Sequence, residues 1–219
     1  MPWKEHLAAC FALSLAAGVT AAVRFEDPAS AARAQVEPPA ALLSDLRARP
    51  TARLGERLRL RVQKDAVVED WTSYLSRFTP ARYVALSAWP DEVFTWYSAV
   101  YADPATRLFA RRGSPAEGAL RAAGRYDRLE LVGVLREVFA GEPWIEIERV
   151  TPLPGRVGEG TILQVGRAIE LLRQGSIAMA LDQLDRARAA PLPPHALGEL
   201  ERLETAAREA GARAGADSR

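Results

Sequence analysis

The sequence contains few of the side chains that carry covalent or metal chemistry. Only one cysteine, two histidines and two lysines occur among its 219 residues. Cys10 and His6 both lie near the start, so the rest of the chain has no thiol for a disulfide, a nucleophile or a metal site. His195 follows a proline-rich turn, and a single imidazole cannot form a multi-histidine metal centre. Because a Gly-x-Ser-x-Gly turn is also missing, we predict no catalytic residue, no metal and no cofactor.

The sequence also has no large excess of positive or negative charge, since it contains 29 Lys and Arg residues and 28 Asp and Glu residues. A chain with a net charge of only +1 has no general attraction to nucleic acids or anionic membranes. Hydrophobic residues make up 48% and charged residues 26%, as in globular proteins that bury a core. The length suits one domain with additional segments.

The N-terminus carries an uncharged apolar run of 17 residues, from Leu7 to Val23, after Lys4. A membrane-spanning helix needs about 20 such residues, and small residues around Ala21 offer a cleavage site. We therefore predict that residues 1–22 are an export signal and that the chain is periplasmic or secreted. The alternative is an uncleaved segment that anchors the chain to the inner membrane, which would be its only membrane contact.

Residues 23–50 are rich in Ala, Pro, Glu and Arg, a composition typical of a flexible tether. Leu42, Leu43 and Leu46 have helical spacing, so we predict that the tether ends in a short helix before Pro50.

Residues 51–154 show the period of two that is typical of strands. Leu58, Leu60 and Val62 alternate with arginines, and two further strands are predicted at 82–89 and 106–111. Ser114, Pro115 and Glu117 predict the start of a short helix that ends at Gly124. A long strand, 128–139, with a bulge at Gly133, then pairs with a strand that begins at Trp144.

The segments Tyr126–Val138 and Pro143–Ile147 resemble the last hairpin of bacterial OB-fold domains, and the likeness extends over roughly residues 55–153. The resemblance implies a five-stranded barrel with a helix between the third and fourth strands. The connection between the first two strands is unusually long for that fold. The predicted fold class is α+β, with a small five-stranded OB-like β-barrel followed by a helical hairpin and a third helix.

Residues 155–219 have helical periodicity. Ile162, Val165 and Ile169 form one apolar stripe, and Gly175 separates it from a second that begins at Ile177. A third helix is predicted near 196–212. Small residues such as Ala168, Ala180 and Ala187, with Pro191 after the second helix, are similar to one tetratricopeptide unit. A single unit cannot bury its own faces, so we expect it to pack on the barrel or on a partner.

Aromatic residues are concentrated between positions 71 and 101. OB-folds bind ligands with their second and third strands and the loop after the first strand, where aromatic rings stack on bases or sugars. The predicted contact residues are Trp71, Tyr74, Trp89, Trp96 and Tyr97, and Trp71, Trp96 and Tyr97 are expected to be exposed. The alternative is that these rings fill and cover the barrel.

Arginines on the polar faces of the strands form the second candidate surface, comprising Arg57, Arg59, Arg61, Arg107 and Arg111. Guanidinium groups in a row could bind phosphates or carboxylates. The alternative is a solvated face, in which glutamates of the neighbouring hairpin pair with these arginines, namely Glu130, Glu137, Glu146 and Glu148.

From these features we predict that the chain is a non-catalytic exported protein of the bacterial cell envelope, which binds a ligand or serves as a scaffold. Its partner would be another envelope protein or an extended ligand. Two alternatives remain open: a single-stranded nucleic-acid-binding protein, which the charge balance disfavours, and a small carboxylate-dependent hydrolase of envelope polymers. A carboxyl group with a raised pKa in a cleft beside the aromatic residues would favour the hydrolase.

Overall fold

The structure, a computed structural model, describes residues 37–73 and 76–217, with side chains described as far as Arg213. The predicted export signal and most of the tether, residues 1–36, lie outside the described residues, as does Tyr74.

Strands occupy the first part of the described chain and helices the last part. The elements, in chain order, are α1 (Leu43–Ala48), β1 (Arg57–Val68), β2 (Tyr83–Pro90), α2 (Ser98–Tyr101), β3 (Ala105–Arg111), α3 (Pro115–Ala122), β4 (Arg128–Phe139), β5 (Glu142–Leu153), α4 (Glu159–Arg173), α5 (Ile177–Arg188) and α6 (Pro194–Asp217).

The five strands form one closed ring in the order β1-β2-β3-β5-β4. Neighbouring strands are antiparallel except β3 and β5, which run parallel. The long strand β1 closes the ring, because Arg57–Gln63 pair with β4 while Val62–Val68 pair with β2. The α+β class and the five-stranded sheet followed by helices agree with the sequence analysis.

The main core lies inside this ring, because every second side chain of each strand points inward. Leu58, Leu60 and Val62 of β1 are almost completely buried there, with equivalent residues of the other strands. Leu43 and Leu46 of α1 and Leu120 of α3 belong to the same cluster. The leucines predicted for the short helix thus have different roles, since Leu42 precedes α1 and is 50% exposed.

Both ends of helix α3 are capped by side chains. Ser114 Oγ accepts a hydrogen bond from the backbone N–H of Glu117, as the sequence predicts. At the other end, the buried Lys64 donates from Nζ to the carbonyl oxygens of Leu120, at 2.7 Å, and Ala123. Burial lowers the pKa of Lys64, and the charge of Asp127 opposes this shift.

The hairpin of β4 and β5 shows why glycine is needed at two positions. The register shifts at Gly133, as predicted, and a Cβ there would lie 2.5 Å from the carbonyl oxygen of Glu146. At the turn, Ala140 and Gly141 both have positive φ, 51° and 80°, the conformation of a two-residue type I′ turn. The hairpin is longer than predicted, because β5 extends from Glu142 to Leu153.

The three C-terminal helices form a second apolar cluster with the segment that follows β2. Val165 of α4, Leu184 of α5 and Leu200 of α6 are fully buried in it, and Trp96 joins them from that segment. This packing confirms the three predicted helices. The short helix α2 was not predicted, since four residues carry no periodic signal.

Buried polar groups fix the junction between the ring and the helices. Arg128, at the start of β4, binds both carboxylate oxygens of Asp91 at 2.7 Å and the carbonyl of Pro154 at 2.6 Å. Both charged side chains are at most 10% exposed. Gln63 donates to the carbonyl of Val157 at 2.6 Å, and His195 of α6 lies beside the ion pair.

Candidate functional site

An aromatic cluster covers the outer surface of the ring at β2, β3 and β5. We call it the outer cluster, and it consists of Trp71, Phe78, Tyr83, Phe109 and Trp144. Phe78 stacks on Phe109 with ring centroids 4.4 Å apart, and Phe109 stacks on Trp144 at 5.1 Å. Trp71 packs on Phe109 at 5.5 Å and is half-buried.

Strand alternation explains why these rings share one face. Leu108 and Ile145 are register partners in the parallel pair of β3 and β5, and both point into the ring. Their sequence neighbours Phe109 and Trp144 therefore point outward. Trp71 and Phe78 come from the long connection between β1 and β2, which folds over these strands.

Arg107, the previous outward residue of β3, lies at the edge of the outer cluster. Its guanidinium carbon is 5.3 Å from the centroid of the Trp144 ring, a cation–π distance. No carboxylate of the described residues lies within 4.0 Å of this guanidinium. Phe139, at the end of β4, packs edge-on against Trp144 at 5.7 Å and is 39% exposed.

Two indole N–H groups of the outer cluster lack an acceptor. The Nε1 atoms of Trp71 and Trp144 are buried, and neither donates a hydrogen bond within the described part of the chain. An unpaired buried donor costs about 1–3 kcal/mol. The cluster thus contains two unpaired donors, and at its edge lies a cation that has no acidic partner among the described residues.

Glu146 lies beside this cluster and is bound from three sides. It accepts hydrogen bonds from Arg136 at 2.8 Å, Tyr83 at 3.2 Å and Arg111 at 3.4 Å. Partial burial alone would raise its pKa, but the hydrogen bonds and charges of Arg136 and Arg111 outweigh it and hold the pKa below its usual value. A carboxylate in this state stays charged and serves as an ion-pair partner of the two arginines.

The arginine row of β1 lies on another side of the ring, where glutamates face it. Arg57 pairs with Glu148 at 2.8 Å, and Glu130 lies 3.4 Å from Arg61 and 4.0 Å from Arg59. This arrangement matches the alternative of a solvated Arg–Glu face.

Trp89 is 1% exposed, so it presents no ring face to a ligand in this structure. Its Nε1 donates to the carbonyl of Tyr101 at 3.1 Å, and its ring stacks on Tyr101 and Tyr126. Arg125 lies over these rings, 4.9 Å from that of Tyr126. Burial and the bond to Tyr101 raise the pKa of Tyr126 to about 12.

The expectation that both Trp96 and Tyr97 are exposed is wrong for Trp96. Its ring is 4% exposed, because it stacks on Phe94 and fills the helical cluster. Tyr97 points the other way, is 37% exposed and donates from its hydroxyl to Glu199 at 3.1 Å.

The predicted contact residues therefore occupy separate places. Trp71 and Arg107 lie together at the outer cluster, and Arg111 lies next to it above Tyr83. Trp144 and Phe109 were not among the predicted contact residues. The alternation of Trp144 with the inward Ile145 and Ile147 was the signal that could have identified it.

Three further findings concern the described chain as a whole. No three His, Cys, Asp or Glu side chains lie close enough together there to hold a metal ion. None of its helices combines the length and apolar character required to cross a membrane. The sequence matches no protein-family model, and no curated protein matches it significantly.

Proposed function

We propose that this chain is an exported, non-catalytic binding or scaffolding protein of the bacterial cell envelope. In this proposal the ring is an OB-like barrel and the helices α4 and α5 form a tetratricopeptide-like hairpin. The ligand surface is formed by the half-buried Trp71 and Arg107 at the edge of the outer cluster. Export rests on the apolar sequence from Leu7 to Val23, which lies outside the described residues.

Three features of the ring support the OB-like part of the proposal. The strand order is β1-β2-β3-β5-β4, β3 and β5 are parallel, and the helix α3 lies between β3 and β4. OB-folds bind oligonucleotides or oligosaccharides on the face of their second and third strands. The outer cluster lies on the corresponding strands, although fold alone does not determine a ligand.

The observation that carries the proposal is the environment of the Arg107 side chain. This guanidinium has no carboxylate of the described residues within 4.0 Å, although Arg111 on the same face of β3 is bound to Glu146. An arginine held over an aromatic ring without an acidic partner is suited to bind an anionic group from outside the chain.

The same geometry weighs against the two alternative functions. The acid beside the aromatic residues, Glu146, has a lowered pKa, whereas a hydrolytic general acid needs a raised one. Nucleic-acid binding requires several cations to neutralise successive phosphates. The arginines of β1 are instead close to Glu130 and Glu148.

Cell fractionation with binding-site variants tests this function. The full chain, expressed in bacteria with a C-terminal tag, should be recovered from the periplasm or the envelope fraction. Cross-linking in intact cells should capture an envelope component. Arg107→Gln should reduce that capture, while Arg167→Gln, at an exposed position of α4, should retain it. Recovery of the full chain from the cytoplasm, or equal capture by both variants, would contradict the proposal.

A further inference from the structure

We propose that a groove beside helix α1 binds the C-terminal end of a short apolar peptide in an extended conformation. The groove shares no residue with the surface of Trp71 and Arg107, so this site goes beyond the proposed function. Its volume is about 500 Å³, within the range of sites that hold small ligands. The residues that line it include Ala40, Leu42, Asp45, Leu46, Arg49 and Ala52.

An open backbone edge at Ala40 is the first feature of this groove. Residues 39–41 run parallel to β1, because Arg59 donates its N–H to the carbonyl of Pro39 at 3.0 Å and its carbonyl accepts the N–H of Ala41 at 2.9 Å. In a parallel pair, the residue between two such bonds directs its own N–H and C=O away from the partner strand. Those groups of Ala40 have no partner among the described residues. An extended peptide can therefore pair with this edge through its backbone.

The apolar lining indicates the side chains that such a peptide carries. Leu46 lines the groove although it is only 2% exposed, so it lies at the base, where it also belongs to the core of the ring. Leu42 is 50% exposed, and Ala40 and Ala52 are exposed as well. Burial of these surfaces favours a ligand with apolar side chains.

Arg49 supplies a charge for the end of the peptide. Its side chain is exposed, and no carboxylate of the described residues lies within 4.0 Å of it. Arg49 follows α1 with φ −138° and ψ 66°, outside the helical region, so it does not form the ion pair with Asp45 that this spacing gives within a helix. A free guanidinium beside an apolar groove suits a terminal carboxylate, to which it can donate two parallel hydrogen bonds.

Asp45 limits the ligand to one negative charge. Its carboxylate also lines the groove and has no cation of the described residues within 4.0 Å. A second carboxylate on the peptide would be repelled by it, whereas apolar side chains would not. The site therefore favours an apolar C-terminus over an acidic peptide.

A membrane surface fits this groove less well. Anionic lipid headgroups would be attracted to Arg49, but the free Asp45 lies on the same face and would repel them. A bilayer surface also offers no backbone that could pair with Ala40. An anionic membrane is therefore an outcome that the experiment must distinguish.

Titration of the purified full chain with the tripeptide alanyl-leucyl-leucine tests the site by isothermal titration calorimetry. We expect saturable binding that is about tenfold weaker for the same peptide with an amidated C-terminus, because the charged hydrogen bonds are lost. Methylation of the peptide's backbone nitrogens should also weaken binding, since it removes the donors for strand pairing. In a ¹⁵N-labelled sample, the amide resonance of Ala40 should shift when the peptide binds.

Variants connect this binding to the groove. Arg49→Gln should weaken binding of the acid about tenfold and abolish the difference between acid and amide, while Arg167→Gln, at another exposed arginine, should leave the affinity unchanged. Leu42→Ala should weaken both forms equally, and circular dichroism melting checks that each variant is folded.

Three results would overturn this proposal. They are the absence of peptide binding, equal affinity for the acid and the amide, and binding to phosphatidylglycerol vesicles that depends on Arg49 while the peptide does not compete. Arg107→Gln should leave peptide binding unchanged, so failure at this groove does not affect the surface of Trp71 and Arg107.

Discussion

Removing one partner of the Asp91–Arg128 pair should destabilise the protein more than any surface substitution. The two side chains are at most 10% exposed and share two hydrogen bonds of 2.7 Å. Asp91→Ala leaves the Arg128 guanidinium buried with the carbonyl of Pro154 as its remaining partner. An uncompensated buried charge costs about 3–5 kcal/mol, a large part of the about 5–15 kcal/mol that stabilises a typical domain.

A double variant separates the cost of the unpaired charge from the cost of lost packing. In Asp91→Leu/Arg128→Met both charges are replaced by apolar side chains of similar size, so the penalty of the unpaired charge disappears. Replacements of this kind are often neutral. We therefore expect the double variant to be more stable than Asp91→Ala, although each position has changed.

Urea unfolding, followed by tryptophan fluorescence and circular dichroism, measures these differences as changes in the free energy of unfolding. Arg121→Ala is the matched control, because the Arg121 side chain is exposed and its ion pairs with Glu69 and Glu117 should contribute little to stability. The reasoning is refuted if Asp91→Ala costs no more than this control, or if the double variant is less stable than Asp91→Ala.

Three other predictions concern the ring and its junction with the helices. Gly133→Ala should lower the free energy of unfolding in urea by several kcal/mol, because the new Cβ would clash with the Glu146 carbonyl oxygen. Gly118→Ala in α3, where a Cβ meets no other atom, should raise the free energy of unfolding by about 0.5–1 kcal/mol. Equal effects of the two substitutions would contradict this prediction. Lys64→Met should cost about 1–3 kcal/mol, since it leaves carbonyls of α3 unpaired, and an unchanged urea midpoint would contradict that cap. Burial lowers the pKa of His195, and Arg128 also opposes its protonation, while Asp91 and Glu92 favour it. The unfolded chain therefore binds a proton more readily, so the free energy of unfolding should fall as the pH drops below about 6.5. His195→Gln should remove this dependence of stability on pH.

Local patterns were sufficient to predict most elements of the fold. The alternation around Leu58, the capping residues Ser114 and Glu117, and the glycine inside β4 each specify a backbone conformation within a few residues. The helix period after residue 158 did the same for the three C-terminal helices. Such signals do not depend on distant contacts, which is why they can be identified in the sequence.

The candidate site depended on contacts between distant segments. Trp96 and Tyr97 are adjacent in sequence, but one ring enters the helical cluster and the other stays at the surface, because the chain between β2 and β3 turns toward α4 and α6. Arg107 and Arg111 are equally plausible contacts in the sequence. Only the folded ring places Glu146 beside Arg111 and leaves Arg107 over Trp144.

The sequence by itself thus determined which residues alternate, where helices start and stop, and that thiol and multi-histidine chemistry is absent beyond residue 10. The tertiary structure decided which aromatic rings are buried and that Arg111 pairs with Glu146 while Arg107 lies over Trp144. The physical reason is that burial and ion pairing depend on side chains brought together by strand register and helix packing, across separations such as the 37 residues between Asp91 and Arg128.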